Sequence, residues 1–224
     1  SGGNGLSHAL NHGLKLATGT YVARMDADDV SLTGRLAAQV RLMEDRPEVG
    51  VCGTWIETFG MGRATVYRNP ADDATIRCAL LFESVLAHPS VMIRRDLFAN
   101  TGLLYDAAML HAEDYDLWVR AAQYTSLANV PEVLLRYREH PHQVVRKHEA
   151  IKRETARRIR RCQRERLGIA PTAGEEALHE SISSWNLADS REFVSAAHVW
   201  LLKLTAANRT TNLYPRIPFQ RTVA

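Results

Sequence analysis

The sequence predicts an α/β fold: a mostly parallel mixed sheet flanked by helices, followed by a helical C-terminal extension. Two observations predict it. Short apolar or β-rich runs alternate with helical periodicities up to about residue 142, which is the pattern of strand–helix–strand units. Beyond that point the strands stop and the chain reads as helices alone. Bulk composition agrees, since 46% apolar and 24% charged residues in 224 are ordinary for a globular chain. That balance excludes a disordered tail. Three cysteines (Cys52, Cys78 and Cys162) without a CxxC pair argue against a disulfide framework or a Cys-based zinc site, and favour a reducing compartment. No apolar run approaches the roughly 20 residues that span a bilayer.

The elements follow in order. Leu6, Leu10, Leu14 and Ala17 recur at helical spacing, and Gly19 supplies a stop. Tyr21 to Met25 reads as a buried strand ending at an acidic cluster. Leu36, Val40 and Met43 line one face of a helix with Pro47 beyond its end. Val49 to Phe59 is β-rich, and Asp72 is placed to cap a helix through about Phe82. Ser90 to Ile93 is a short strand. Glu113 to Gln123 is a helix that buries Leu117, Trp118 and Ala121. Asn129 to Tyr137 is another strand. Gln143 to Leu167 then reads as one long basic helix packed by Val144, Val145, Ile151, Ile159 and Leu167. After a linker holding Pro171 come two more helices, Glu175 to Trp185 and Arg191 to Ala207. The last buries a side made of Phe193, Ala197, Trp200, Leu201 and Leu204. The expected division is residues 1–142 and 143–224.

The sharpest feature is Met25-Asp26-Ala27-Asp28-Asp29 at the end of the first strand. Three carboxylates so close repel one another and persist most easily beside a cation, and oxygen ligands suit Mg²⁺ or Mn²⁺. The plainer reading is a solvated Asp-rich turn. An EF-hand loop fails, because Val30, Ser31 and Ala37 stand where an oxygen donor, a glycine and a glutamate are needed. Asp26-Ala27-Asp28-Asp29-Val30 fits the D-x-D-x-[TV] string of haloacid-dehalogenase-like phosphotransferases. It also fits the D-x-D cluster of nucleotide-sugar glycosyltransferases.

The wider context favours the second. Asn4-Gly5-Leu6-Ser7, Ala9-Leu10-Asn11, Gly13, Ala17-Thr18-Gly19-Thr20-Tyr21, the acidic cluster and Arg35-Leu36 occur in an order that resembles family 2 glycosyltransferases of the GT-A (Rossmann-like) fold. The resemblance continues through Pro47, Gly53-Thr54, His88-Pro89-Ser90-Val91-Met92-Ile93-Arg94-Arg95 and Glu113-Asp114-Tyr115-Asp116-Leu117-Trp118. It closes at Leu134-Leu135-Arg136-Tyr137-Arg138 and His140. It implies inverting transfer of a sugar from a nucleotide-diphosphate sugar to a hydroxyl of a saccharide or lipid-linked acceptor, in surface polysaccharide or glycolipid synthesis. Asp114 would be the general base and Glu113 would orient substrate. Asp26, Asp28 and His140 would hold Mn²⁺ or Mg²⁺. Asp26, Asn4 and Asn11 would border the nucleotide, although the two asparagines also suit capping and packing of the first helix. His88 would shape a turn near the acceptor. The family's domain begins ahead of Asn4-Gly5. The chain is therefore expected to hold roughly the latter two-thirds of a catalytic domain and to leave a sheet edge unpaired.

Charge is uneven. From Val145 to Arg166 ten basic residues stand against three acidic ones, a segment of +7 in a chain of +3, which leaves the rest at −4. The segment could meet an anionic membrane from the cytoplasmic side, bind a polyanion as a non-catalytic module, or simply be solvated. It has no aromatic residues, so nucleic acid is not an expected partner.

Overall fold

The computed structural model describes residues 5–140 and 148–223. Six strands form one mixed sheet. β1 (Tyr21–Ala23), β5 (Met92–Arg94), β3 (Val49–Phe59), β6 (Ser126–Arg138) and β2 (Val30–Ser31) lie side by side in that order, and β4 (Val66–Tyr67) also pairs with β3. β3 and β6 run parallel from Val49 opposite Ser126 to Phe59 opposite Arg138. The other four pairings are antiparallel and short. The sheet is mixed, as expected, but its parallel part is one long pair and not most of the pairings. A parallel pair needs a long crossover, which residues 60–125 supply, whereas the tight β3–β4 turn can only return antiparallel. β1 ends the order, so its outer edge has no strand partner among the described residues.

Helices cover both faces because successive strand residues point to opposite sides. Val51, Ile93 and Leu127 enter a core with Ile76 of α3 (Asp73–Ala79) and with Leu117, Trp118 and Ala121 of α5 (Glu113–Ala121). Their neighbours Cys52, Met92 and Ala128 face Met43 of α2 (Arg35–Asp45). Asp72 caps α3 by accepting from the Thr75 amide at 2.9 Å. α1 (Leu6–Leu16) contributes Leu10 and Leu14 to the first core, while Leu6 stays exposed. α4 (Arg95–Thr101) follows β5 and ends at Gly102.

The C-terminal helices are α6 (Glu149–Arg166), α7 (Ala173–Ser183), α8 (Arg191–Thr211) and α9 (Arg216–Thr222). Trp200, Leu204, Phe219 and Val223 pack against Cys78, Leu81 and Phe82, which docks the extension on α3. The expected start of the basic helix, with Val144 and Val145, lies outside the described residues. Ile159 and Leu167 are buried as expected, but Ile151 is exposed. α9 is a further short helix that accommodates two prolines. Pro215 is its N-cap and Pro218 lies in its first turn, where a missing N–H breaks no helical bond.

The basic face of α6 is partly neutralised from within. Arg157, Arg161 and Arg164 converge on Glu176, and Arg160 and Arg164 on Glu180. These arginines therefore join α6 to α7. No helix among the described residues is long and apolar enough to cross a membrane.

Candidate active site

The turn after β1 is bolted to the carboxyl end of β6, and the carboxyl ends of parallel strands are where open α/β sheets bind ligands. Val30 pairs with Arg136. Asp29 is buried and accepts from the Arg138 amide at 2.8 Å, and the Arg138 guanidinium donates to the Asp28 carbonyl at 2.8 Å. Burial pushes the Asp29 carboxyl up to about 6, and Asp26 and Asp28 add to the push against the Arg138 amide. Its second oxygen, Oδ2, is buried with no hydrogen-bond partner among the described residues.

This bolting brings His140 to Asp28. Nε2 of His140 lies 3.3 Å from Oδ2 of Asp28, and both side chains reach solvent. Gly60 helps fix the approach. Its φ is +102°, and a Cβ there would stand 2.7 Å from the Glu139 carbonyl, so a side chain is excluded on both counts. The Glu139 amide in turn donates to Phe59 O at 2.7 Å. Asp26 does not join Asp28 and His140. Both its oxygens are gripped by the Arg24 fork, at 2.8 Å and 2.7 Å. Of the expected three-residue metal set, Asp28 and His140 stand together, while Asp26 is paired with the guanidinium two residues upstream.

A carboxylate and an imidazole converging at an open surface fit a divalent cation that takes its remaining ligands from water and diphosphate oxygens. The unpartnered Asp29 oxygen beside them fits the same environment. Among the described residues no cluster of three or more His, Cys, Asp or Glu side chains suited to a metal ion is formed.

The second expected centre stands at the start of α5. Glu113 is buried and Asp114 half-buried in the first turn. Burial pushes the Asp114 carboxyl up to about 6, Glu113 pushes it further, and the Tyr115 amide, Lys152 and Arg24 pull it back. A carboxylate tuned this way is a competent base near neutral pH.

Arg24 connects the two centres, and the sequence reading missed it. Its side chain is only 11% exposed, yet it acts electrostatically on Asp29, His88, Tyr105 and Asp114. The available signal was an arginine wedged between an apolar strand and three aspartates. His88 opens a 3-10 turn, and its Nε2 lies 3.0 Å from the Tyr105 hydroxyl. Burial first and Arg24 second hold its imidazole well below the usual range, so it stays neutral. The His88 ring meets Trp118 edge-on at 6.0 Å.

Two polar residues of α2 hold this arrangement. The sequence pattern placed Leu36, Val40 and Met43 inside; the structure buries Arg35, Gln39 and Met43 and leaves Leu36 exposed. Arg35 donates to the carbonyls of Arg24 (3.3 Å) and Pro89 (2.9 Å), and Gln39 to those of Cys52 (2.6 Å) and Ser90 (2.8 Å). Hydrophobic periodicity could not predict this, because the helix satisfies buried carbonyls. Asn11 is committed to the backbone of Tyr105. Its amide donates to Tyr105 O (2.8 Å) and accepts from Tyr105 N (2.9 Å), which fastens α1 to the segment before α5. Asn4 lies outside the described residues.

The family model described as glycosyl transferase family 2 matches residues 1–102. Among curated relatives, the amylovoran biosynthesis glycosyltransferase AmsE of Erwinia amylovora is 35% identical over 136 residues, 60% of this chain and 50% of that protein. The O-antigen biosynthesis glycosyltransferase WbnJ of Escherichia coli is 32% identical over 139 residues, 60% of this chain and 54% of that protein. The chain spans about half the length of the curated relatives it matches. Among solved structures, S. aureus TarS 1–349 in complex with UDP-GlcNAc superposes with a TM-score of 0.55 at 14% identity, covering 100% of this chain and 71% of that one. That likeness shows the fold, a mixed α/β sheet flanked by helices as in GT-A-like glycosyltransferases. Residues 1–102 are thus similar to glycosyl transferase family 2, and the curated relatives that the chain resembles are glycosyltransferases.

Proposed function

We propose that the chain carries the acceptor side and part of the donor side of an inverting, metal-dependent glycosyltransferase. It moves a sugar from a nucleoside diphosphate to an acceptor hydroxyl in surface polysaccharide or glycolipid synthesis. The observation that supports this most is the Asp28–His140 contact at 3.3 Å, made by residues from far-apart segments at the carboxyl end of β6. Asp28 and His140 would hold Mn²⁺ or Mg²⁺, which offsets charge growing on the departing diphosphate. Asp114 accepts the proton of the acceptor hydroxyl as that oxygen attacks the anomeric carbon from the side opposite the diphosphate. Glu113 orients the acceptor. Neutral His88, paired with the Tyr105 hydroxyl, would border the acceptor. The glycosyltransferase relatives favour this reading over the phosphotransferase one.

TarS is described in complex with UDP-GlcNAc, which makes UDP sugars the first donors to test. The test is Mn²⁺-dependent release of UDP from UDP sugars by the full-length protein containing this chain, with Asp28→Asn and Asp114→Asn as variants. Loss of turnover by at least about a hundredfold in Asp114→Asn supports the base assignment. Near-parental turnover there overturns it, and turnover unaffected by chelation overturns the metal.

A further inference from the structure

We propose that Arg24 is a positioning residue that gates the metal site: its guanidinium and a divalent cation compete for the Asp26 carboxylate. The inference rests on the metal-dependent reading above.

The ion pair is bidentate. Nη1 of Arg24 meets Oδ2 of Asp26 at 2.8 Å and Nη2 meets Oδ1 at 2.7 Å, so both oxygens are engaged by one planar fork. The Arg24 backbone is held in place, which leaves the side chain free to change partner. The Arg24 amide donates to Val91 O at 2.9 Å, its carbonyl accepts from Arg35, and its side chain is 11% exposed. Asp26 is more open, at 38%. On the same turn, Asp28 points to His140 instead. The turn therefore divides its carboxylates between an internal cation and an open pair of ligands. A metal that recruits Asp26 as a third protein ligand must first take it from Arg24.

The guanidinium has somewhere to act once released. It already lies within electrostatic reach of Asp114, Tyr105 and His88 on the acceptor side. Shifting Arg24 from Asp26 toward that side would couple arrival of the metal–diphosphate to the charge around the base. Metal alone would then bind weakly, and the donor's own phosphates would complete the exchange.

The test is Mn²⁺ binding, measured by titration calorimetry or by the electron paramagnetic resonance of free Mn²⁺, without nucleotide. The proteins are the full-length parent, Arg24→Gln, Asp26→Asn and the double variant. Arg24→Gln is expected to tighten Mn²⁺ binding about tenfold, the scale of one well-formed charge pair. Asp26→Asn is expected to stay within about twofold of the parent, and the double variant to lose the gain. Arg24→Lys, which keeps the positive charge, is expected to return affinity toward the parent. A merely structural Arg24 would weaken metal binding or leave it unchanged, and either result overturns the gate, as does a gain that survives in the double variant. A parent that binds no Mn²⁺ at millimolar concentration, with or without UDP, overturns the metal reading itself. A parent that binds while the cycle stays flat overturns only the gate.

Discussion

The Arg138 backbone amide donates to the buried carboxylate of Asp29 at 2.8 Å, tying the acidic turn to the last residue of β6. Two residues later comes His140. The tether therefore sets the distance between Asp28 and His140, although Asp29 touches neither ligand atom. Asp29→Asn keeps a carbonyl to accept from Arg138, whereas Asp29→Ala does not. We expect Mn²⁺ affinity to fall about tenfold in Asp29→Ala and little in Asp29→Asn, with one lost charge-assisted bond as the scale. Calorimetric titration of both variants checks it, and equal losses would remove the tether from the account.

Asp114 sets a pH limb and a stability cost together. Its carboxyl is raised from the ordinary 3.8 to about 6, chiefly by burial and then by Glu113. As a base it must be ionised, so turnover should fall as pH drops through about 6. The stability sign runs the other way. The folded chain holds this proton more tightly than the unfolded one, so the residue destabilises the fold progressively from about pH 4 to pH 6 and fully above that. Asp114→Asn should therefore lose transfer yet gain about 1–3 kcal/mol at neutral pH. Thermal melts at pH 7.5 and pH 4.5 check this: the gain should shrink at the lower pH.

Much of the fold was legible because hydrophobic periodicity and turn residues carried it. Leu117, Trp118 and Ala121 were read as the buried side of α5 and are buried; Asp72 was read as a cap and is one. The pairing of Asp28 with His140 was expected from family resemblance, and the geometry brings the two together. Three things were not legible. Arg35 and Gln39 displaced Leu36 from the buried face of α2, since carbonyl satisfaction outweighs one leucine there. The pairing of Asp26 with Arg24 was hidden because sequence spacing cannot show which charge an aspartate faces. The role of the basic helix stayed open between an anionic partner and a solvated face because Glu176 and Glu180, which pair with it, lie on the next helix.

His179 makes the C-terminal core acid-sensitive. It is fully buried, stacks on Phe82 at 4.9 Å, reaches Leu81 O through Nε2 at 3.1 Å and accepts from the Trp200 indole at 3.2 Å. Burial first, then Arg164, lowers its imidazole to about 3. The unfolded chain binds a proton below about pH 6.5 and the folded chain does not, so stability is lost as pH falls from there toward 3. The parent should lose about 2 kcal/mol more than His179→Gln between pH 6.5 and pH 4.5. Urea midpoints at the two pH values decide, and parallel slopes would remove His179 as the cause.

Glu180 shares the α6–α7 contact with Glu176 and takes its most buried pairs. Arg164 is fully buried, and its nearest carboxylate oxygens are 3.5 Å away on Glu176 and on Glu180. Arg160 also pairs with Glu180, donates to Phe82 O at 3.3 Å and is 9% exposed. Removing a partner of a buried charge costs up to about 3–5 kcal/mol, far more than loss of an exposed pair, and Glu176 beside Arg164 offsets part of that cost. Glu180→Gln is therefore expected to destabilise the chain by about 3 kcal/mol. Arg153→Gln, whose partner Glu149 lies on an exposed helical turn, should change stability by less than about 0.5 kcal/mol. Salt separates the two mechanisms: raising ionic strength should erase the small Arg153 effect and spare most of the Glu180 one, because buried pairs are weakly screened. Chemical denaturation of both variants in urea with low and high NaCl makes the comparison. A Glu180→Gln loss that vanishes in salt would place the contact at the surface and restore a free basic face to α6.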